Sequence, residues 1–173
     1  ILSDSHGRHL AVRRAVALFD KLGVAHVIHC GDVGSPEVFD EMIGRPCTFV
    51  WGNMDFPYDD LLTYAQSLGL SIPGEVPVRL ELDGKRFAVF HGHEPGFNTA
   101  IHAARKRCSP RSSRASGLTV DYILHGHTHV ACDEKLNGKR IINPGALYRA
   151  ARKTVATLDT KTDQLTFHEV RGA

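Results

Sequence analysis

Much is scarce in these 173 residues. Net charge is scarce: 21 Lys and Arg against 19 Asp and Glu leave +2, too little to argue for nucleic acid or a membrane as an obligate partner. Cysteine is scarce and scattered. Cys30, Cys47, Cys108 and Cys132 form no CxxC pair and no framework spacing, which favours free core thiols over a thiolate zinc site and points to a reduced cytoplasm. No apolar run is long enough for a membrane span, and no charged-then-apolar leader opens the chain. Linker composition is missing as well, so 1–173 reads as one domain. The opening at Ile1, already inside an apolar string, leads us to expect a few preceding residues that complete the first strand.

Histidine is the exception, with 11 copies. Most sit in or beside short strings that divide the chain in order: Asp4-Ser5-His6, Gly31-Asp32, Gly52-Asn53, His91-Gly92-His93 and His125-Gly126-His127. Each string follows an apolar run that reads as a buried strand. The scaffold between them alternates. Leu10, Val12, Val16, Phe19 and Leu22 recur at helical spacing and end at Gly23. Val24 to His29 reads as a strand, and Ser35-Pro36 opens a second helix that ends near Gly44. Thr48 to Trp51 is a strand, and Asp59 to Leu68 a helix. This parallel α/β pattern collects functional groups beyond the carboxyl ends of its strands. In the second half, Val76–Leu82 and Lys85–Phe90 flank the hairpin turn Asp83-Gly84. Asn98 to Cys108 is helical, Val120 to Leu124 is a strand, and Asn137-Gly138 and Thr160–Gln164 mark two further hairpins. Two mixed sheets packed face to face with helices outside are expected.

In an extended strand end, residues i and i+2 point the same way. Asp4 and His6 can therefore grip one ion, and His125 and His127 can each reach one of two adjacent ions. The two oxygens of Asp32 suit a bridge between metals, Asn53 offers an amide oxygen, and His91 adds an imidazole. Mixed nitrogen and oxygen ligation without thiolate suits two divalent ions, manganese first, with nickel, iron, cobalt or zinc as alternatives to one another rather than calcium.

The order D-x-H, G-D, G-N, H and G-H-x-H resembles the calcineurin-like metallophosphoesterase superfamily. The short chain, Gly52-Asn53-Met54-Asp55 and the Asn143-Pro144-Gly145 loop resemble its small YfcE-like phosphodiesterases. The resemblance implies a four-layer α/β/β/α sandwich and a dinuclear site, with Asp4, His6 and His127 on the first ion, Asn53, His91 and His125 on the second, and Asp32 bridging. It also implies hydrolysis of a small phosphodiester by in-line attack of a metal-bridging hydroxide. Many superfamily members carry histidine directly after the asparagine as leaving-group acid; this chain has Met54, as small YfcE-like members lack that histidine. His93 is the remaining candidate for that proton, with Asp55 a supporting partner. Ala146 stands where the family's loop usually carries serine.

Blander readings compete elsewhere. His29 and His129 are expected to be structural or to support the ligands from behind, and Trp51 to pack in the core. Phe97 could line the cleft. Arg105, Lys106, Arg107, Arg111 and Arg114 read as a solvated helix end and loop, with Arg105 and Arg107 as a substrate-attracting lip in the functional alternative. That stretch lacks aromatic interleaving, which argues against single-stranded nucleic acid. The rival to the enzyme is a protein-interaction scaffold, since the retromer subunit resembles the same small fold. A homodimer through an exposed sheet edge is a further expectation.

Overall fold

The computed structural model describes residues 1–55, 58–105 and 119–172. In its first half, α1 (His9–Lys21), β1 (Val27–His29), α2 (Pro36–Asp40), β2 (Cys47–Phe49) and α3 (Tyr58–Ser67) alternate. β3 (Val78–Leu82) and β4 (Lys85–Val89) follow, then α4 (Pro95–Arg105), β5 (Tyr122–Leu124), β6 (Cys132–Leu136), β7 (Lys139–Asn143), β8 (Thr154–Asp159) and β9 (Gln164–Glu169).

The sheets are mixed, for reasons visible in their turns. Asp83-Gly84 and Asn137-Gly138 hold both central residues at positive φ (51° and 71°; 48° and 79°), the geometry that joins adjacent strands in two residues. They make the antiparallel pairs β3–β4 and β6–β7. Between these pairs, β4–β5 and β5–β7 are parallel, giving the order β3-β4-β5-β7-β6. The other sheet is assembled around the chain's first residues. β1 and β2 pair in parallel, Leu2 bridges to His29 in parallel, and Ile1 exchanges backbone hydrogen bonds of 2.7 and 2.9 Å with Ala156 of the β8–β9 hairpin.

Three apolar clusters stack these parts as four layers. Ile1, Ile28 and Val50 of one sheet meet Phe87, Val89, Leu124 and Ile142 of the other. α1, α2 and α3 cover the outer face of the first sheet through Val12, Val16, Phe19, Phe39 and Leu61, and α4 covers the second through Ala100 and Ala104. Each fully buried large apolar side chain contributes about 1.5–3 kcal/mol, more than the few tenths at stake in local helix propensity, so packing decides which face of a helix turns inward. On α1 the buried stripe is Ala11, Val12, Ala15, Val16 and Phe19. Leu10 and Leu22, expected in that stripe, are about half exposed (52% and 51%), because the 3.6-residue period carries them past its edges. Trp51 packs edge-on against Phe49 and Phe39, in the core as expected. No helix among the described residues is long and apolar enough to cross a membrane.

Candidate metal centre

Four parallel segments end at one edge of the sandwich, and each delivers a string there: residues 1–3 to Asp4, β1 to Asp32, β4 to His91 and β5 to the last histidines; β2, ending at Phe49, delivers Asn53. The strings interlock through glycines whose missing Cβ makes room for a neighbouring string. A Cβ on Gly126 would lie 2.6 Å from an Asp4 carboxylate oxygen, and one on Gly52 would lie 2.0 Å from Oδ1 of Asp32. One on Gly31 would enter the His91 ring at 2.6 Å. Glycine is needed here for close approach as much as for turning.

The donors converge on two carboxylates. Oδ2 of Asp32 lies 3.3 Å from His6 Nε2 and 3.4 Å from His91 Nε2, while His91 Nε2 is 3.1 Å from Asn53 Oδ1. His91 Nδ1 is 2.8 Å from the Cys30 carbonyl, which can only accept, so that nitrogen carries the proton and a neutral ring points its Nε2 lone pair at two oxygens. His6 Nε2 is buried and has no hydrogen-bond partner. Acceptors that face acceptors around a common point fit a cation. The titration behaviour reflects the same crowding. Burial raises the Asp4 carboxyl and lowers the His6 imidazole, and a neutral imidazole is the form that ligates metal. Burial also opposes charge on Asp32 and His91, but the closeness of carboxylate and imidazole, helped at Asp32 by the Met54 amide and at His91 by the Cys30 carbonyl, outweighs it and pulls the carboxyl down and the imidazole up, so each favours a positive charge between them.

Two donor groups come within ligating distance of one another: Asp4, His6 and His129, and Asp4, Asp32 and His91. His129 Nε2 is 3.2 Å from Asp4 Oδ1, so the third donor of the first group is His129, not the expected His127. The His127 backbone N–H instead donates to both Asp4 oxygens (3.1 and 3.2 Å), and its ring stands 5.1 Å from that of His91, on the side of the second group. His125, expected on the second ion, has Nδ1 3.1 Å from the Gly126 carbonyl and its ring 4.8 Å from Phe97; it belongs to neither group. The reason is backbone geometry. Asp4, His6, Asp32, His127 and His129 all have positive φ, between 44° and 66°, a region where Asp and His are enriched but which costs roughly 1–3 kcal/mol per residue. The extended alternation assumed from the sequence ends with β5, and the left-handed residues re-aim the pair 127 and 129. Gly126-His127-Thr128-His129 is itself a G-H-x-H string, the signal that could have identified His129.

Backbone N–H groups anchored by carboxylates hold the loops. Glu94 accepts from His91 and Gly92 (both 2.7 Å), a role the sequence did not suggest. Asp55 accepts from Gly34 (2.8 Å) and Gly52 (2.6 Å), and burial pushes its carboxyl up to about 6 against those bonds. Asn143 donates to the Gly126 carbonyl (2.8 Å) and accepts from Gly145 (2.9 Å), so the Asn-Pro-Gly loop braces the last histidines. Buried His29 bonds Ser5 (2.8 Å) behind the site, the structural role expected of it. His93 is exposed at the rim, its ring 5.4 Å from that of His91.

Arg105, one of the two residues of the expected basic lip, does not stand at the donors. Arg105 closes α4, which starts beside His93 and carries it about 15 Å away at 1.5 Å per residue; it pairs with Glu134 at 3.8 Å. Arg107 lies outside the described residues. A cleft of about 510 Å³ does adjoin His6, lined by Gly7, Arg8, Met54, Tyr148 and Arg149. Ala146 is fully buried and does not line it, and Phe97 packs on Phe90 and His125 instead.

An α/β sandwich that gathers carboxylate, amide and imidazole donors at the carboxyl ends of its parallel strands defines a metal-dependent hydrolase. More specifically, the chain belongs to the calcineurin-like phosphoesterase superfamily, whose domain matches residues 1–163. It is 28% identical over 165 residues to "Phosphodiesterase MJ0936" of Methanocaldococcus jannaschii, spanning 93% of this chain and 92% of the relative. Among solved structures it is similar to a novel archaeal phosphodiesterase (25% identity, TM-score 0.79, 97% of this chain and 96% of the other). It shares the fold of the phosphoesterase YfcE from E. coli (20%, TM-score 0.62, 98% and 97%) and of zinc-complexed Vps29 from Entamoeba histolytica (20%, TM-score 0.57, 91% and 84%).

Proposed function

We propose that this phosphoesterase hydrolyses small phosphodiesters at two divalent ions, one held by Asp4, His6 and His129 and the other by Asn53, His91 and His127, with Asp32 between them. The observation that carries this reading is the Asp32 oxygen set 3.3 and 3.4 Å from two imidazole nitrogens, one of them buried without a hydrogen-bond partner. The donor set suits manganese, and equally nickel, iron, cobalt or zinc. Such ions supply Lewis-acid charge and acidify water for attack on phosphorus. The chain's own residues do the positioning. Glu94 fixes the backbone that presents His91, and Asp55 ties the loops bearing Asp32 and Asn53 together.

Met54 stands 57% exposed in the cleft and has no proton to give. His93, exposed beside His91, donates to the departing oxygen. His93→Ala should therefore slow alkyl esters, whose leaving groups need that proton, by about 10²-fold or more, and 4-nitrophenyl esters far less. Equal slowing of both would remove His93 from the role.

The overall test reconstitutes metal-free protein with Mn²⁺, Ni²⁺, Zn²⁺ or Mg²⁺ and assays bis(4-nitrophenyl) phosphate against 4-nitrophenyl phosphate. Activity should require an ion and favour the diester. His129→Ala should behave like Asp32→Ala, and His125→Ala should retain most of the activity. No turnover with any ion would favour the second reading, a protein-interaction scaffold, to which the likeness to Vps29 lends support at the level of the fold.

A further inference from the structure

We infer that Arg8, Tyr148 and Arg149 form a specificity wall for a second phosphate group, carried on the substrate beyond the phosphodiester that is cut. This inference rests on the phosphodiesterase reading and adds the substrate class. Three observations carry it. The cleft beside His6 has a volume of about 510 Å³, room for a nucleotide-sized arm and much more than one phosphate needs. It reaches from His6, on the first donor group, to Met54, whose N–H donates to Asp32 Oδ1 (2.9 Å), so an ester bound over the donors has one arm in it. Among the described residues its charged lining is cationic: Arg8 and Arg149 are exposed, no carboxylate of those residues lines the cleft, and neither arginine makes an ion pair with them.

The two guanidinium carbons each lie 5.1 Å from the centre of the Tyr148 ring, which itself rests 4.9 Å from the His6 ring. The half-buried tyrosine thus links both cations to the metal-side wall. Cation–π contact holds a guanidinium in place without using up its N–H donors, and arginine's planar fork matches phosphate oxygens in pairs. Arg149 adopts a φ of 46°, uncommon for arginine. An apolar or uncharged arm would leave both cations without a partner; an arm ending in phosphate engages them.

The experiment compares two substrates that differ only in the remote group: thymidine 5′-(4-nitrophenyl phosphate) with and without a 3′-phosphate. The scissile bond and leaving group are identical. The 3′-phosphorylated substrate should be cut with a kcat/KM at least about tenfold higher at low ionic strength, carried by KM, and the ratio should fall as salt rises. In Arg8→Gln/Arg149→Gln the ratio should approach one, and Arg8→Lys should restore part of it. A ratio near one in the parent protein, or a ratio unchanged in the double variant, would overturn the inference while leaving the phosphodiesterase reading intact. If neither substrate is cut with any ion, that reading fails, and calorimetry on the metal-free protein decides this one. Thymidine 3′,5′-bisphosphate should then bind more tightly than thymidine 5′-phosphate in the parent but not in the double variant, and equal affinities in the parent would overturn the wall.

Discussion

Two clusters of charge stand apart in this molecule, one on the second sheet and one at the edge where both sheets end, and they are built on opposite principles. Around Arg140, buried on β7, every charge has a partner of opposite sign. Its Nε and Nη2 bond the two oxygens of Asp133 (2.7 and 2.8 Å), and its Nη1 bonds Asp163 (2.7 Å). Asp163 also accepts from Lys135 (2.6 Å) and Tyr122 (2.9 Å). The protein satisfies that network alone. Around Asp32, by contrast, carboxylate, amide oxygen and imidazole lone pairs face one another, and His6 Nε2 has no hydrogen-bond partner. The first cluster is complete as a protein; the second is complete only with a cation. Burying polar groups is costly in both cases, but only one uses the cost for chemistry.

The contrast can be broken most sharply at Asp32. Asp32→Ala should lower kcat on a diester by about 10²–10³-fold, the scale of losing one preorganised electrostatic group, whereas Asp133→Ala should leave turnover near the parent value in steady-state assays. Next is the response to Arg140→Met. It leaves Asp133 without its partner while Asp163 keeps Lys135 and Tyr122, and chemical denaturation should show a loss of roughly 1–2 kcal/mol, with metal-dependent activity retained in the folded fraction. A third measurement adds the missing partner. An ion at about 100 times its dissociation constant should stabilise the parent by about 2.7 kcal/mol, seen as a higher Tm, and should stabilise Arg140→Met equally but not Asp32→Ala. If Arg140→Met lost the metal response, the two clusters would be one coupled unit and the comparison would fail.

The smallest effect is in acid. Lys135, then Arg140 and Tyr122, hold the Asp163 carboxyl down at about 2, against burial that pushes it up. A carboxylate with a depressed folded value stabilises above its unfolded value, near 3.8, and loses that contribution as pH falls towards 2. The stability gap between parent and Asp163→Asn should therefore be constant above about pH 5 and close between pH 4 and 2. Because the Asp163 side chain is 42% exposed, solvent screens the gap to a small size. A gap that persisted at pH 2 would assign the stabilisation to hydrogen-bond geometry instead of charge.

Much of this molecule was legible before any coordinates. Asp-Gly and Asn-Gly between alternating runs specify hairpins because few dipeptides tolerate two positive φ values in succession. Strand, helix, strand spacing specifies a parallel core because crossover connections need that length. The donor residues were legible too, since Asp, Asn and His beside glycine at strand ends have few other uses in such number. Three readings failed for one shared reason: they depend on direction in space. His129 was taken as support and His125 as a ligand, because a strand's two-residue alternation was continued past the end of β5. Arg105 was placed at the substrate by closeness in sequence to His125, whereas α4 carries it to the far end of its axis. Arg8 and Arg149, 141 residues apart by their numbers, share a cleft that no local pattern announces.

By itself, then, the sequence determined which elements form and which donor types are available. Tertiary structure decided which imidazoles meet which carboxylate. The physical reason lies in five left-handed residues and three glycines without room for a Cβ. A left-handed φ is a local cost that only contacts from distant strings can offset, so the aim of each ligand is set by the packed whole and not by its neighbours in the chain.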